Sequence, residues 1–331
     1  MNRIFITGGA GFIGSHIAES LVKKGYSITI YDNFSSGLID NIKDFKDDVK
    51  VIRGNILDLE KLTRAMKNHD IVSHQAAQLE ILRCIDEPGV DLEINTFGTL
   101  NVLKAAVKNK IKKIINASSA CVYGQAHYIP EDEGHPKNPN WPYGVSKLAA
   151  EKYCEIYQAY YGIKITSLRY GIVYGLREWF GRVLTYFVKR SLEGKPLIVF
   201  DRKVTRDFIF VDDAVNFHNI CLVNSKTDNL VFNVATGKGT NLYELAAAVK
   251  KAMGLEKKII FDSPSEGSPS KYMPERKRLP LELKEMVLDI SRAKRLTGWK
   301  PRVALGEGIK RQAAWVRANP WRWTTKGRIR V

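Results

Sequence analysis

The segment TGGAGFIG at residues 7–14 constrains the fold of this chain more than any other stretch. It separates an apolar, β-branched run, RIFIT, from an amphipathic helical pattern that begins near Ile13. Glycine at positions 8, 11 and 14 lets the backbone turn tightly and approach a pyrophosphate, whose charge then lies at the helix N-terminus. We therefore expect Gly8, Gly11 and Gly14 to form a dinucleotide-binding turn.

The first half of the chain alternates short β-branched runs with longer helical patterns. Strand-like SITIYD, VKVIRG, DIVSHQAA and KIINASS are interleaved with helical segments such as DLEKLTRAMKN and NTFGTLNVLKAAVKN. Because helical crossovers join parallel strands, this pattern predicts an α/β fold with a doubly wound parallel sheet. The alternation becomes irregular after about residue 175. The Pro- and Ser-rich stretch 263–280 predicts a loop, which either closes over a ligand or simply links two elements.

Asp32 stands at the end of the second predicted strand. A carboxylate at this place can accept hydrogen bonds from both hydroxyls of an adenosine ribose. It would also repel a 2′-phosphate. The sequence therefore favours NAD over NADP as the dinucleotide.

The segment PYGVSK places Tyr143 and Lys147 four residues apart, on one face of the helix that opens there. A tyrosine with its ordinary pKa near 10 is a poor base at neutral pH, whereas an adjacent ammonium favours the phenolate. The pair predicts a tuned tyrosine that moves protons. A surface Tyr–Lys pair has the same spacing, so the spacing alone leaves both interpretations open.

Composition limits the remaining classes of protein. The chain has 331 residues, 44% of them hydrophobic, which is enough for a full core. Its first residues lack the pattern of a signal peptide, and no apolar run approaches the roughly 20 residues that span a membrane, so we expect a cytoplasmic protein with no membrane contact. The widely spaced Cys84, Cys121, Cys154 and Cys221 include no CxxC pair, which predicts reduced thiols and no metal.

The net charge of +17 suggests an anionic partner. Basic residues are scattered and locally balanced by acids, except in ERKR at 275–278 and in the tail WRWTTKGRIRV at 321–331. No nucleic-acid motif accompanies either stretch, so we expect no nucleic-acid partner. A phosphate-bearing small substrate and a merely basic, solvated surface both account for the charge.

Several motifs occur together in one order along the chain. The glycine turn and Asp32 are followed by HQAAQ at 74–78, INTFGTLNVL at 94–103, SSACVYG, PYGVSK and DISRAKRLTGWKP. This combination resembles the extended short-chain dehydrogenase/reductase family, and within it the NAD-dependent nucleotide-sugar epimerases of the UDP-glucose 4-epimerase type. The resemblance is dense over residues 1–175 and thinner afterwards.

The resemblance implies roles for individual residues. Tyr143 would be the general base and acid, Lys147 would bind the nicotinamide ribose and lower the pKa of the tyrosine, and Ser119 would hydrogen-bond the reacting hydroxyl. Asn55 stands where the family usually has Asp, but an amide can still bond the adenine amino group. The implied NAD-binding residues are Gly8, Gly11, Phe12, Ile13, Gly14, Asp32, Asn33, Ser36, Gly37, Asn55, Ile56, Ala76, Ala77, Gln78, Asn95, Tyr143, Lys147, Tyr170 and Val173.

The two residues after Ser119 discriminate between members of the family. Dehydratases have an Asp-Glu pair there, because eliminating water needs a further acid and base, and decarboxylases usually keep the Glu. This chain has Ala120 and Cys121. The resemblance therefore implies epimerisation at C4 of a nucleotide-diphosphate sugar through a transient 4-keto intermediate, with tightly bound NAD as hydride carrier.

Cys121 leaves an alternative open. SSAC before a tyrosine is also similar to the GDP-mannose 3,5-epimerases, in which a cysteine acts as acid or base. A thiol with an ordinary pKa near 8.5 can do so where a neighbouring cation lowers it. A small cysteine packed at a strand end is the other interpretation. A 4-keto reductase, or a silent NAD-binding scaffold with a basic nucleic-acid-binding tail, completes the alternatives.

The residues that would hold the sugar diphosphate depart from the family pattern. Ile172 stands where the family usually has Asn, and the Gly-Asp-Gly turn before Arg206 is absent. Arg177 is a further candidate for an anion contact. Lys189 or Arg190 lies where the GDP-mannose 3,5-epimerases use a lysine from the helix after the YG motif, which is a looser match. The expected substrate-binding residues are Ser119, Arg182, Arg206, Arg276 and Arg278.

The resemblance also implies a domain organisation and an assembly. Residues 1–175 would form the NAD-binding Rossmann domain, to which a segment at about 203–232 returns. Residues 176–331 would be mainly a smaller, mixed α/β substrate-binding domain. A homodimer would form through the predicted helices near 96–109 and 143–161.

Overall fold

The computed structural model describes residues 2–274 and 276–324. The basic stretch predicted at 275–278 is thus described except for residue 275, and the tail beyond residue 324 lies outside the described residues. The strands in chain order are β1 (Arg3–Thr7), β2 (Ser27–Asp32), β3 (Val49–Arg53), β4 (Ile71–His74), β5 (Lys113–Ser119), β6 (Lys164–Tyr170), β7 (Ile172–Tyr174), β8 (Leu197–Val199), β9 (Thr205–Phe210), β10 (Val231–Val234), β11 (Gly239–Asn241), β12 (Ile259–Phe261) and β13 (Glu285–Met286).

Helices follow most of these strands, and a π-helical turn at Glu93–Phe97 precedes the fifth of them. The α-helices are α1 (Phe12–Val22), α2 (Leu59–Met66), α3 (Ile81–Asp86), α4 (Pro88–Leu92), α5 (Gly98–Lys108), α6 (Pro142–Tyr161), α7 (Val183–Leu192), α8 (Val211–Val223), α9 (Leu242–Met253), α10 (Ser291–Thr297), α11 (Leu305–Ala318) and α12 (Trp321–Thr324).

A seven-stranded parallel sheet forms the centre of the molecule, in the order β10-β6-β5-β4-β1-β2-β3. Ile4 in β1 pairs with Ile28 on one side and with Ile71 on the other. Because the chain builds outward from β1 to β3 and then restarts at β4, the direction of winding changes between β1 and β4. Ligands bind at such a switch point, outside the carboxyl ends of the strands. The predicted doubly wound α/β fold is confirmed.

Alternation along β1 distributes its side chains between two cores. Ile4 and Ile6 face the layer that contains α1 and α8, where they pack with Ile17. Phe5 faces the layer of α2, α5 and α6, where it packs with Leu62. Successive strand residues point to opposite faces, so an almost continuously apolar strand requires helices on both sides.

Helix α6 positions the predicted catalytic pair. Pro142 occupies its first turn, where the missing N–H costs nothing, and Gly162 ends it in a left-handed conformation at φ +68°. Tyr143 therefore lies at the very start of the helix, beside the end of β5, and Lys147 lies one turn later. This places both side chains at the carboxyl edge of the sheet.

The second half of the chain supplies a smaller mixed sheet, in which β9 pairs with β7, β11 and β13, and a separate β8–β12 pair. Within the segment 203–232, β9 belongs to this smaller sheet, whereas α8 packs against the large sheet and β10 forms its edge beside β6. The domain boundary near residue 175 stays a prediction. Among the helices of the described ranges, none has the length and apolar character needed to cross a bilayer.

Candidate active site

The glycine turn forms as the sequence predicts. Gly8 has φ +68°, and an added Cβ there would come within 2.6 Å of the Ala76 nitrogen. Gly11 precedes α1 and donates its N–H to the Gly8 carbonyl at 3.0 Å. No side chain caps α1, and its first turn contains no acid. Its free N-terminal amides therefore suit a pyrophosphate.

Asp32 lies at the end of β2 and is buried. Its carboxylate accepts the backbone N–H groups of Ala10 at 2.9 Å and Phe34 at 2.8 Å. Burial raises the pKa of this carboxyl, and the two hydrogen bonds partly oppose the rise. Its two backbone bonds fix the side chain at the point where a ribose would lie.

One cavity of about 750 Å³ runs from the glycine turn along the carboxyl ends of β4, β5 and β6 into the second half of the chain. It brings together most of the predicted site residues, although their individual roles stay predictions. Those that line it are Gly8, Gly11, Phe12, Ile13, Gly14, Asp32, Asn33, Ser36, Asn55, Ile56, Ala76, Ala77, Gln78, Ser119, Cys121, Tyr143, Lys147, Tyr170, Val173, Arg182, Arg206 and Arg276.

Ser119, Tyr143 and Lys147 line this cavity together, and Ser119 hydrogen-bonds Tyr143. Ser119 ends β5, and its hydroxyl accepts the N–H of Cys121 at 3.2 Å. Lys147 is buried, and its Nζ donates to the Ala117 carbonyl at 2.9 Å. A hydroxyl, a phenol and an ammonium thus converge where a sugar hydroxyl can be held and deprotonated.

The pKa of Tyr143 differs from the sequence expectation. Burial, followed by the nearby Cys121 thiol, raises this pKa, while the hydrogen bond with Ser119 lowers it. Burial also lowers the pKa of Lys147 to about 8, against the opposing charge of Asp91. Desolvation of the phenol is the dominant influence, because the side chain lies in a low-dielectric interior.

Asn95 and Gly37 do not line this cavity as the resemblance implied. Asn95 is buried in the π-helical turn, where its amide accepts the Gln78 N–H at 2.9 Å and donates to the Gln78 carbonyl at 2.7 Å. It therefore fixes the loop that faces the cavity. Gly37 lies beside Asp32, in an adjoining surface depression.

The predicted arginines divide into two groups. Arg182, Arg206 and Arg276 line the cavity. Arg278 is not part of the cavity lining, and its guanidinium lies 3.2 Å from Asp201 and 3.7 Å from Glu282. The expectation that Arg278 contacts substrate thus loses its geometric basis, since two neighbouring carboxylates hold its guanidinium.

Arg177 also lines the cavity, but its guanidinium pairs with Glu19 on α1 at 2.5 Å. Ile172, where the family usually has Asn, lies in the same wall. The side chains available for a diphosphate therefore differ from the usual family set.

The thiol of Cys121 is buried among these groups. Burial raises its pKa, although a bond with Ser119 and the charges of Arg206 and Arg182 oppose the rise. A thiol in this state is a poor base at neutral pH. The described residues contain no group of three or more side chains that could ligate a metal ion.

Sequence reasoning missed the aromatic wall at the end of the cavity that the second half of the chain forms. Trp179, Phe180, Tyr186 and Phe200 line it, and the guanidinium of Arg276 lies over the ring of Tyr186 at 4.2 Å. Trp179 and Phe180 lie between Arg177 and Arg182 in the segment REWFGR. Two adjacent aromatic residues in a loop after a strand end were the available signal.

Comparison with known proteins agrees with this geometry. The family profile described as GDP-mannose 4,6 dehydratase matches residues 5–312. A protein of Methanocaldococcus jannaschii, provisionally named UDP-glucose 4-epimerase, is 39% identical over 322 residues, which cover 96% of this chain and 99% of the relative. The UDP-N-acetyl-alpha-D-glucosaminuronate decarboxylase of Bacillus cytotoxicus is 32% identical over 95% of this chain and 98% of its own.

Among solved structures, the UDP-glucose 4-epimerase of Thermus thermophilus in complex with NAD has a TM-score of 0.84. It is 32% identical, and the superposition covers 95% of this chain and 99% of that one. The resemblance drawn from the motifs is confirmed. The chain belongs to the GDP-mannose 4,6-dehydratase-like branch of the short-chain dehydrogenases/reductases, an NAD-dependent family of nucleotide-sugar epimerases, decarboxylases and dehydratases.

Proposed function

We propose that this protein epimerises a nucleotide-diphosphate sugar at C4 through a transient 4-keto sugar. The observation that supports this most directly is the convergence of Ser119, Tyr143 and Lys147 in one cavity with the glycine turn, while Ala120 and Cys121 follow Ser119. This set has a proton-transfer residue for oxidising a hydroxyl. It lacks the two acids that elimination would need at those positions.

NAD is the cofactor of the family, and the residues present fit it. The glycine turn leaves room for a pyrophosphate, and Asp32, which the Ala10 N–H holds in place, would accept the ribose hydroxyls. Two buried polar atoms of the cavity wall, Gln78 Nε2 and Tyr170 Oη, have no hydrogen-bond partner among the described residues. When bound, NAD supplies a reversible hydride acceptor whose oxidised ring is positively charged.

Tyr143 takes the proton of the sugar hydroxyl and later returns one to the same oxygen. Ser119 hydrogen-bonds that oxygen and orients it towards the phenol. Lys147 holds a ribose hydroxyl and keeps a positive charge beside the site. Burial and the nearby Cys121 thiol raise the pKa of Tyr143, and a positive charge beside the phenol would favour its loss of a proton.

Glu178 and Glu282, which line the substrate end of the cavity, interact with neighbouring polar and basic side chains. Glu178 accepts from Gln312 at 2.7 Å and lies 3.3 Å from Arg182. Glu282 lies between Arg206 and Arg278, at 3.9 and 3.7 Å. Neither stands where the missing Asp-Glu pair of a dehydratase would be, which favours epimerisation over elimination.

Arg182, Arg206 and Arg276 are proposed to bind the diphosphate, since they are the predicted substrate arginines in the cavity wall. Arg206 is buried and only loosely paired, because Glu282 lies 3.9 Å away. Arg206→Gln should therefore raise KM at least tenfold while leaving NAD binding intact. Arg278→Gln, outside the wall, is the matched control.

The deciding experiment incubates the purified protein with UDP-, GDP-, CDP- and dTDP-sugars in deuterated water and follows each by NMR. Inversion at C4 without solvent deuterium on carbon supports the proposal. Deuterium at C3 or C5 would identify a 3,5-epimerase. A deoxy-keto sugar would identify a dehydratase, and a pentose from a UDP-uronate would identify a decarboxylase.

Tyr143→Phe is the control for the chemistry. It should abolish turnover and leave NAD bound, because the variant loses only the phenolic oxygen. Retained turnover in this variant contradicts the role of Tyr143. A net consumption of NADH in the wild type, with one product per cofactor, would instead indicate a 4-keto reductase.

The homodimer and the cytoplasmic location expected from the sequence are proposals as well. Val145, Tyr153, Ile156 and Tyr160 leave apolar surface exposed along α6, and Phe97 does so at the start of α5. These are the two helices expected to pair between subunits. The four cysteines are free, as in a reducing compartment. Sedimentation equilibrium tests the dimer directly.

A further inference from the structure

Asp91, on the short helix α4, is a buried carboxyl group for which neither the sequence nor the proposed chemistry gives a use. It is 1% exposed. Its Oδ1 accepts the thiol of Cys84 at 3.0 Å and the amide of Asn95 at 2.7 Å. Its Oδ2 is buried without a hydrogen-bond partner among the described residues. An isolated carboxylate is costly to bury, so its persistence in this place requires a compensating charge.

The groups bonded to Asp91 lead directly to the active site. Asn95 holds both backbone polar groups of Gln78, and its amide lies 3.3 Å from the Ser146 hydroxyl. Ser146 precedes Lys147 on α6, and Gln78 lines the cavity. The carboxyl of Asp91 thus orients the amide that joins the cavity loop to the helix carrying Tyr143 and Lys147.

The hydrogen bonds of Asp91 lead through Asn95 to Ser146, the residue before Lys147, and the charge of Asp91 acts on Lys147. The ionisable groups that face Lys147 are Asp91 from α4, His74 from β4, and Cys154 and Glu151 from its own helix. Glu151 is committed to Arg169, with which it shares two hydrogen bonds at 2.9 and 2.6 Å. Burial keeps the thiols of Cys84 and Cys154 and the imidazole of His74 neutral. Of the two carboxylates that face Lys147, Glu151 has an arginine partner, whereas Asp91 has none among the described residues.

We propose that Asp91 is a positioning residue of the active site, whose buried carboxylate supplies the counter-charge of Lys147 and, through Asn95, holds the cavity loop at Gln78. This inference deepens the proposed epimerase function and rests on it for the role of Lys147 in turnover. The charge of Asp91 favours the ammonium form of Lys147, which burial alone disfavours. Without it, Lys147 would lose its proton closer to neutral pH.

The test is an isosteric change, Asp91→Asn. An asparagine Oδ1 can still accept from Cys84 and Asn95, so this variant removes the charge and keeps the hydrogen-bond acceptor. Glu87→Gln is the matched control, because it removes an exposed carboxylate from the same segment, where Glu87 pairs with Arg83. Protein labelled with [13Cε]lysine is titrated by NMR, and Lys147→Met identifies the Lys147 resonance.

In the wild type the Lys147 resonance should titrate with a pKa of about 8. Asp91→Asn should lower that midpoint by about one pH unit, the shift expected for a unit charge several ångströms away in a protein interior. Glu87→Gln should leave it unchanged. An unchanged midpoint in Asp91→Asn overturns the proposal, since a purely structural acceptor would give that result.

Turnover provides the second readout. The alkaline limb of the kcat/KM profile should move down with the Lys147 midpoint in Asp91→Asn. A protein without epimerase activity gives no profile, yet the titration still decides the role of Asp91. If Asp91→Asn does not fold, the double variant Asp91→Asn/Lys147→Met is tested next, because it removes both charges. A folded double variant supports the role of Asp91 as counter-charge of Lys147. If neither variant folds, the proposal is overturned.

Discussion

The buried ion pair between Arg169 and Glu151 joins strands β5 and β6 to helix α6, and removal of one partner alone should be strongly destabilising. Arg169 is 2% exposed and Glu151 is 1% exposed. The guanidinium donates to both carboxylate oxygens, at 2.9 and 2.6 Å, and its third nitrogen donates to the hydroxyl of Tyr123 at 3.0 Å. Ser118 donates to the same carboxylate at 2.5 Å. The pair therefore holds the residue beside Ser119 against the helix of Lys147.

Arg169→Met should lower the free energy of unfolding by about 3–5 kcal/mol, because it leaves the Glu151 carboxylate buried and unpaired. The double variant Arg169→Met/Glu151→Leu should recover most of this loss, since no charge then remains buried. Turnover should fall in the single variant, because Arg169 then no longer fixes Glu151, the hydrogen-bond partner of Ser118 next to Ser119. Urea denaturation followed by circular dichroism measures the stabilities.

Lys152→Ala is the matched control. Lys152 neighbours Glu151 on the same helix and pairs with Glu155, but both side chains are about half exposed. Its loss should cost less than about 0.5 kcal/mol. If Arg169→Met costs no more than this control, or if the double variant is no more stable than the single one, the reasoning about the buried pair is wrong.

Three further changes should have distinct outcomes. Gly14→Ala should abolish NAD binding measured by calorimetry, because the added Cβ would overlap the Gly8 carbonyl, whereas Gly306→Ala, in open space on α11, should raise stability by about 0.5–1 kcal/mol. Asp32→Ser should weaken NAD about tenfold and improve the relative affinity for NADP, since it removes a charged hydrogen-bond acceptor. Burial, aided by Lys147, lowers the pKa of His74 to about 3, below its ordinary 6.5. The unfolded state therefore binds the proton first, and stability falls on acidification through the interval between these values. Between about pH 6 and 4, the wild type should lose about 1.4 kcal/mol per pH unit more than His74→Gln in urea titrations, and equal slopes would contradict this.

Much of the fold and of the cofactor site follows from local sequence. The glycines of residues 8–14, Asp32 at a strand end and the four-residue spacing of Tyr143 and Lys147 are short-range features. Their positions are set by turn geometry, by strand termini and by helix periodicity, which a few neighbouring residues determine. These residues line the cavity, and their individual roles stay predictions. The family and its cofactor were recognisable for the same reason.

Contacts between distant segments account for what the sequence did not predict. Asn95 faces Gln78 and Asp91 instead of the cavity, and Arg278 is held by Asp201 and Glu282. The direction of the Tyr143 pKa depends on how much protein surrounds the phenol, a quantity that no spacing along the chain contains. Burial and pairing arise only when strands and helices far apart in sequence are packed together. The residue types in the sequence therefore indicate which chemistry this site can perform. The pKa directions and ion pairs of the site are determined only by the tertiary structure.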